Sequence, residues 1–187
     1  MIQKHLVFIL LVGLLLSQSL SAVSFNSKYD AQIQKSVKLY WADFEEWKYW
    51  KAQLYQESRL KSDAVSPVGA MGLAQFMPRT WEQISKELDY PVYSNAFIPS
   101  YAIYAGAYYM RKLRNGWSWN RPVIEKNKLA QASYNAGMGS ILKAQKKCGN
   151  AKLWDDIKPC LKEVTGHHSK ETITYVERIK RWYGLLQ

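Results

Sequence analysis

Residues 55–81 read YQESRLKSDAVSPVGAMGLAQFMPRTW. The stretch begins with Glu57 near the end of a predicted helix and continues through a loop rich in proline and glycine. An apolar turn carrying Gln75 and Met77 follows, and Pro78 is well placed to open the next helix because proline suits the first helical turn. We predict a helix–loop–helix unit that forms one wall of a cleft.

Glu57 is the candidate catalytic residue of this unit. It falls near the carboxyl end of its helix, where unpaired carbonyl groups carry partial negative charge. Apolar neighbours such as Leu54 and Leu60 would also exclude water, and both effects raise the pKa of a carboxyl group. A carboxylic acid that keeps its proton near neutral pH can donate it to a leaving glycosidic oxygen. On these residues alone, an ordinary surface glutamate at a helix end remains the alternative.

The rest of the chain shows further helical patterns. Apolar residues recur at spacings of three and four, which is typical of amphipathic helices, and no segment has a strand-like alternation of useful length. The predicted helices cover residues 33–47, 50–58, 78–88, 101–113, 122–136, 140–147 and 171–185. We therefore predict an all-α domain.

The amino terminus has the layout of a secretory signal peptide. Lys4 precedes an apolar run over residues 6–16, and small polar residues follow to residue 22. We expect residues 1–22 to be this leader, with an uncleaved membrane anchor as the alternative, and the protein to be exported to the periplasm or secreted. Residues 23–44 are then a lead-in with one helix, and residues 45–187 form the catalytic domain.

The chain carries a formal net charge of +11, from 26 Lys and Arg against 15 Asp and Glu. Such a charge favours polyanionic partners. The sequence has no recognisable zinc finger, RNA-recognition motif or basic zipper, and its cations are dispersed. We therefore expect no nucleic-acid partner and favour an anionic bacterial envelope. The 14% aromatic content suits either a core or a surface that stacks on sugars.

Cys148 and Cys160 are the two cysteines of the chain. In an exported protein we expect them to form a disulfide, which would stabilise the fold by about 3 kcal/mol in the loop-entropy model. Two free, buried thiols are the alternative. His167 and His168 have no acidic or cysteine partner at metal-ligand spacing, so we predict no metal and no cofactor.

Three motifs carry a resemblance to a known family. They are Glu57-Ser58 with Ser66-Pro67-x-Gly69-Ala70-x-Gly72-Leu73-x-Gln75-x-Met77-Pro78-x-Thr80, then Ser133-Tyr134-Asn135-Ala136-Gly137, then Glu171-Thr172-x-x-Tyr175-Val176. In this order, over roughly residues 45–183, they resemble the soluble lytic transglycosylase family of the lysozyme-like superfamily. Three motifs in register make the resemblance specific.

The resemblance implies a lysozyme-like, mainly helical domain with a deep cleft. It also implies cleavage of the β-1,4 bond between N-acetylmuramic acid and N-acetylglucosamine in peptidoglycan, without water, leaving 1,6-anhydromuramic ends. Most glycosidases use two carboxyl groups. This family uses one, which acts as acid on the leaving oxygen and then as base on the C6 hydroxyl, and the resemblance assigns that role to Glu57.

The resemblance also assigns substrate-binding residues. Ser66 is expected to place a hydroxyl facing the acid and the sugar, and Gln75 an amide for N-acetyl or peptide groups. Met77 is expected to offer an apolar surface under a sugar, and Tyr134 a hydrogen bond near the acid. Asn135 is expected to contact the glycan or its stem peptide, and Glu171 to support the cleft. Ala74 stands where the family usually has methionine, so we expect a wider cleft floor.

Two other functions stay open on the sequence. Asp63 or Glu82 could be a second carboxylate, and Asp63 facing the cleft would allow hydrolysis in the manner of goose-type lysozymes. A non-catalytic peptidoglycan-binding module is the other alternative, although such a module has no need for an acid at Glu57. We expect peptidoglycan glycan strands as the partner and a monomer. The sequence leaves open an association with the envelope or with a secretion machine.

Overall fold

The structure is a computed structural model that describes residues 25–187. The predicted leader over residues 1–22 lies outside the described residues. The described chain is helical, with α1 Asp30–Tyr40, α2 Trp47–Ser58, α3 Pro78–Glu87, α4 Pro99–Gly116, α5 Val123–Ala136, α6 Met138–Lys147, α7 Trp154–Ile157, α8 Lys162–Thr165 and α9 Ser169–Leu185. Short 3-10 helices cover Lys158–Leu161 and Gly166–His168. The described residues thus form the all-α domain that the sequence predicts.

Two layers of apolar side chains hold the helices together. The first joins α1, α2 and α4 with the loop that follows α2, and the second joins α5, α6, α7 and α9. In the first layer Trp41 and Trp50 are fully buried and donate from their indole N–H groups to the carbonyls of Ala107 (2.9 Å) and Ile103 (3.2 Å). Gly106 lets Trp50 approach α4, because an added Cβ would lie 2.5 Å from that indole ring. Helix α2, which carries Glu57, is therefore firmly fixed against α4.

The first helix of the structure ends earlier than the apolar pattern of the sequence predicted. The spacing predicted a helical face over residues 33–47, but α1 ends at Tyr40 and the chain turns before α2 begins at Trp47. Asp43 in the turn forms an ion pair with buried Arg114 of α4, and the Trp41 indole is also bonded to α4. Because residues on both sides of the turn reach the same core, the apolar spacing continues across it.

Residues 59–77 form the loop between α2 and α3. Arg59 and Leu60 have positive φ angles of 56° and 60°, so the chain leaves α2 in a left-handed turn. Isolated antiparallel bridges pair Met71 with Val65 and with Phe76. Gly72 adopts a φ of +68° and lies against the carbonyl of Ala96, where a Cβ atom would come within 1.8 Å. The loop is therefore a folded unit seated against the segment before α4.

The second layer places α9 beside α2. Helix α9 packs against both α2 and α5, and its Tyr175, Val176 and Ile179 are buried in that layer. Cys148 and Cys160 form a disulfide that ties the end of α6 to the Lys158–Leu161 turn. This packing brings the ends of α2 and α5 and the first half of α9 to one side of the molecule.

Within residues 25–187, none of the helices combines the length and the apolar character that crossing a bilayer requires.

Candidate active site

Glu57 is the next-to-last residue of α2, immediately before the left-handed turn. Ser58 fixes the helix end, since its hydroxyl donates to the carbonyls of Leu54 (3.3 Å) and Leu73 (2.9 Å). The second of these bonds ties the helix to the loop. The side chain of Glu57 is only partly exposed; Tyr175 of α9 contacts it and Tyr134 at the end of α5 lies close to it. The site is thus a carboxyl group at the meeting point of three structural elements.

Burial raises the pKa of Glu57 from its ordinary 4.5 to about 8, and a hydrogen bond from Tyr175 opposes that shift. A carboxyl group with this pKa is mostly protonated at pH 7. Glu57 can therefore act as a proton donor at neutral pH.

Tyr175 contacts Glu57 directly. Its hydroxyl donates to Glu57 Oε1, and the buried amide of Gln53 donates to Met110 Sδ at 3.4 Å. Burial raises the pKa of Tyr175 well above its usual value, so the tyrosine remains a donor. The sequence showed Tyr175 within the third motif, but we assigned a role only to Glu171 of that motif. The two residues are four positions apart on α9, and the motif alone does not say which one faces α2.

Tyr134 lies close to Glu57 but bonds elsewhere. Burial, and then the nearby charge of Glu57, raise the pKa of Tyr134 well above its usual value. Its hydroxyl donates to the carbonyl of Ala74 at 2.7 Å, so it connects the end of α5 to the loop. Ala74 itself is fully buried and does not widen an exposed cleft floor; our expectation for that position was wrong.

The three loop residues have different surroundings. Ser66 is half-buried, and its hydroxyl oxygen accepts from the backbone N–H of Ala70 at 2.9 Å, which leaves its own proton free. Gln75 donates its amide N–H groups to the carbonyls of Ala64 (3.2 Å) and Gly72 (2.9 Å). Its donors therefore stabilise the loop and its side-chain carbonyl is left for a ligand. Met77 is 44% exposed at the start of α3, where an apolar ligand surface could contact it.

Asn135 and Glu171 lie on the α9 side of the site. Asn135 accepts a hydrogen bond from Thr172 at 2.7 Å. Glu171 is exposed, 3.8 Å from His168, and makes no hydrogen bond to Glu57. Both residues line two adjoining pockets of about 430 and 370 Å³. Tyr175 borders the larger pocket, which therefore opens directly beside the residue that contacts Glu57.

The two other carboxylates considered from the sequence make no hydrogen bond to Glu57 among the described residues. Asp63 and Glu82 are both exposed, and neither is among the groups that influence the pKa of Glu57. Within residues 25–187 no group of three or more His, Cys, Asp or Glu side chains is arranged to hold a metal ion. His167 and His168 contact each other, with ring centroids 3.9 Å apart. The chemistry of the described site therefore rests on one acid and the hydroxyl groups around it.

Comparison with known proteins gives a consistent result. The family model described as "Transglycosylase SLT domain" matches residues 41–157. Membrane-bound lytic murein transglycosylase F of Photobacterium profundum is 30% identical over 153 residues, which are 74% of this chain and 28% of that protein. The protein of the same name from Pectobacterium atrosepticum is 31% identical over 160 residues, which are 76% of this chain and 31% of that protein. The chain thus spans about a third of the length of the curated relatives that it matches.

Two solved structures share the fold. An inactive variant of lytic transglycosylase Slt from Pseudomonas aeruginosa superposes with a TM-score of 0.68 at 27% identity, over 85% of this chain and 24% of that chain. The 70 kDa soluble lytic transglycosylase of Escherichia coli gives a TM-score of 0.68 at 21% identity, over 87% of this chain and 25% of that chain.

Proposed function

The chain belongs to the transglycosylase SLT family of lysozyme-like domains, and we propose that it is a peptidoglycan lytic transglycosylase with Glu57 as its single acid and base. The proposed reaction cleaves the β-1,4 bond between N-acetylmuramic acid and N-acetylglucosamine and leaves 1,6-anhydromuramic ends. The observation that carries the proposal is the burial of Glu57, which raises its pKa to about 8.

In the first step, the Glu57 carboxyl group gives its proton to the glycosidic oxygen as the bond to C1 of the muramic residue breaks. The positive charge that develops at C1 is stabilised by the substrate's own N-acetyl group. Tyr175 donates a hydrogen bond to the carboxylate that forms, which supports this charged state. N-acetylglucosamine leaves with the proton on its O4.

In the second step, the Glu57 carboxylate takes the proton of the C6 hydroxyl while O6 bonds to C1. This step returns Glu57 to its protonated form and closes the anhydro ring, with no water consumed. No second carboxylate is among the groups that influence the pKa of Glu57, which supports this route over hydrolysis, because an inverting hydrolase needs a second carboxylate about 6.5–9.5 Å away to activate water. The raised pKa of Glu57 also argues against a module that only binds the wall.

We assign supporting roles to the surrounding residues. Ser66 has a free proton for a sugar hydroxyl or carbonyl, Gln75 offers its side-chain carbonyl, and Met77 offers an apolar surface. Asn135 keeps its amide donor free, and Tyr134 holds the loop in place beside the acid. We propose that Glu171 contributes to the wall of the pocket next to Tyr175. No cofactor is needed for this chemistry.

We propose that the protein acts at the cell wall after export to the periplasm or out of the cell, as a monomer. The sequence of residues 1–22 and the net charge of +11 support this setting, since the bacterial envelope is anionic.

The products of digestion test the proposal. Purified sacculi treated with the protein should release muropeptides with anhydro ends, each lighter by one water than the reducing product of a hydrolase. The Glu57→Gln variant should fold and release nothing, since an amide is a poor proton donor. Asp63→Asn should act at the wild-type rate. Reducing ends, or inactivity of Asp63→Asn with retained fold, would establish the hydrolytic alternative.

A further inference from the structure

The larger pocket beside Tyr175 is built mainly from one face of α9. It has a volume of about 430 Å³, within the range of about 300–1,000 Å³ typical of small-ligand sites. Lys170, Thr174 and Arg178 recur every fourth residue along α9, so their side chains follow one side of the helix. Gln56 of α2 and Asn135 of α5 line the pocket from the neighbouring helices. Side chains of three helices thus line an open pocket next to the proposed acid.

The pocket has a positive charge that the protein itself does not neutralise. Lys170 and Arg178 are exposed and have no ion pair among residues 25–187. Glu171 is the acidic residue of the lining, and its carboxylate lies 3.8 Å from the imidazole of His168. His167 completes the titratable groups of the lining. Two cations against one anion leave a site that favours a negatively charged ligand.

The amide groups of the pocket are also oriented as donors. Gln56 Oε1 accepts from the indole N–H of Trp182 at 2.9 Å, and Asn135 Oδ1 accepts from the hydroxyl of Thr172 at 2.7 Å. Neither amide nitrogen donates a hydrogen bond to another described residue, so both donors are available to a ligand. Two amide N–H₂ groups and two cations therefore line the same pocket. Such a lining matches a carboxylate, which accepts hydrogen bonds and carries charge.

The proposed substrate presents carboxylates at one place. Its sugars are uncharged amides and alcohols, whereas each muramic acid carries a peptide stem with free carboxylates. Tyr175 forms the wall of the pocket and contacts Glu57, so a group bound there is attached to a sugar at or next to the bond that is cleaved. We infer that the pocket lined by Lys170, Arg178, Gln56 and Asn135 binds a free carboxylate of that peptide stem and so selects strands with charged stems. This inference rests on the proposed function.

Three forms of one glycan test the inference. The same sacculi are solubilised with their stems intact, with the stem carboxylates amidated, and with the stems removed by an amidase. The Lys170→Gln/Arg178→Gln double variant should lose about tenfold in kcat/KM on intact stems, the scale of one or two charge-assisted contacts. It should match the wild type on amidated and on stem-free glycan. The wild type should itself prefer intact over amidated stems by a similar factor.

A charge-matched variant controls for the loss of net charge. Lys143 and Lys146 of α6 are exposed and lie away from the pocket, so Lys143→Gln/Lys146→Gln removes the same charge and should act like the wild type on all three glycans. Equal losses for the pocket variant on intact and stem-free glycan, or no loss on either, overturn the inference. A wild type that forms no anhydro ends from any of the glycans overturns the proposed function instead.

Discussion

Among single residues, Glu57 and Tyr175 determine what the site can do. Burial raises the pKa of the acid, and the tyrosine hydroxyl donates to it, so the two influences act in opposite directions on the same carboxyl group. In the proposed reaction, the first keeps the proton in place before the glycosidic bond breaks, and the second stabilises the carboxylate after the proton has left. Their balance gives an acid that can also act as a base.

Replacing Tyr175 with phenylalanine tests the second influence. The variant loses the hydrogen bond that lowers the pKa of Glu57, so the pH at which activity declines on the alkaline side should move upward. The rate at neutral pH should fall by about ten- to a hundredfold, the scale of one hydrogen bond to a charged group. Initial rates of anhydro-product release between pH 5 and pH 10 measure both effects.

Tyr183→Phe is the matched control, because Tyr183 is on the same helix but stacks on Tyr49, with ring centroids 3.7 Å apart. It should leave the pH profile unchanged. A Tyr175→Phe variant with the wild-type profile would show that the tyrosine does not act on Glu57.

The raised pKa of Glu57 also predicts a pH-dependent stability. The folded protein holds the proton up to about pH 8, whereas the unfolded chain releases it near pH 4.5. The folded state therefore binds more protons between these values, and the free energy of unfolding falls as the pH rises through that window. The Glu57→Gln variant has no carboxyl group at this position, so its free energy of unfolding does not fall for this reason. Its melting temperature relative to the wild type should increase steadily from pH 4.5 to pH 8, and a constant difference would contradict the buried acid.

Among the structural elements, the loop over residues 59–77 is the one that positions the site. It depends on close backbone contacts, and Gly72 provides the closest, since it has a positive φ and a Cβ atom added to it would lie 1.8 Å from the carbonyl oxygen of Ala96. The sequence identified Gly72 as part of a motif, but the segment that it contacts is more than twenty residues away along the chain. A glycine in the sequence indicates a turn, but its close contact with Ala96 can be recognised only in the folded structure.

Alanine substitutions of two glycines separate the cost of a positive φ angle from the cost of a steric clash. Gly69 and Gly72 both have positive φ, so alanine should cost about 1 kcal/mol at either position. Only Gly72→Ala also drives a Cβ into the Ala96 carbonyl, which should add about 1–3 kcal/mol and displace the loop. Chemical denaturation measures the stability of the two variants, and the rate of product release reports whether the loop is displaced. Similar losses of stability in the two variants would contradict the close contact between Gly72 and the carbonyl of Ala96.

The disulfide between Cys148 and Cys160 is a second element-level feature. The two residues are 12 positions apart, and closing such a loop should stabilise the fold by about 3 kcal/mol. The Cys148→Ala/Cys160→Ala variant should therefore melt roughly 6–12 °C lower in a domain of this size. It should act at the wild-type rate at 25 °C, because neither cysteine borders Glu57. An unchanged melting temperature would contradict a stabilising bond.

For the molecule as a whole, the sequence predicted the helices better than the contacts between them. The predicted bounds of α3, α5 and α9 lie within about two residues of the structure, because α3 and α9 have an apolar face and α5 lies between Pro122 and Gly137. It missed the turn after Tyr40, since the residues on both sides of that turn reach one core. Local patterns define helices, whereas breaks of this kind are set by distant partners such as Arg114 and Ala107.

The candidate site likewise combines a residue that the sequence predicted with contacts that it did not predict. Glu57 was predicted as the acid because the three motifs resemble a known family, whereas its position at a helix end alone left an ordinary surface glutamate open. The partner hydroxyl was not identified, because Glu171 and Tyr175 are one turn apart on α9 and only the packing of α9 on α2 distinguishes them. The pocket beside Tyr175 was also missed, since its lining comes from three helices far apart in the sequence. Sites formed between elements require the structure.

The central claim is that Glu57 holds its proton at neutral pH while remaining able to give it up. The most direct measurement is a pH titration of the side-chain carboxyl carbons by ¹³C NMR, with the Glu57 resonance assigned by its absence from the Glu57→Gln variant. We predict that this carboxyl group titrates near pH 8, well above the other glutamates. Titration of Glu57 near pH 4.5 would contradict the account, because a group ionised at neutral pH is not the proton donor that the proposed reaction requires.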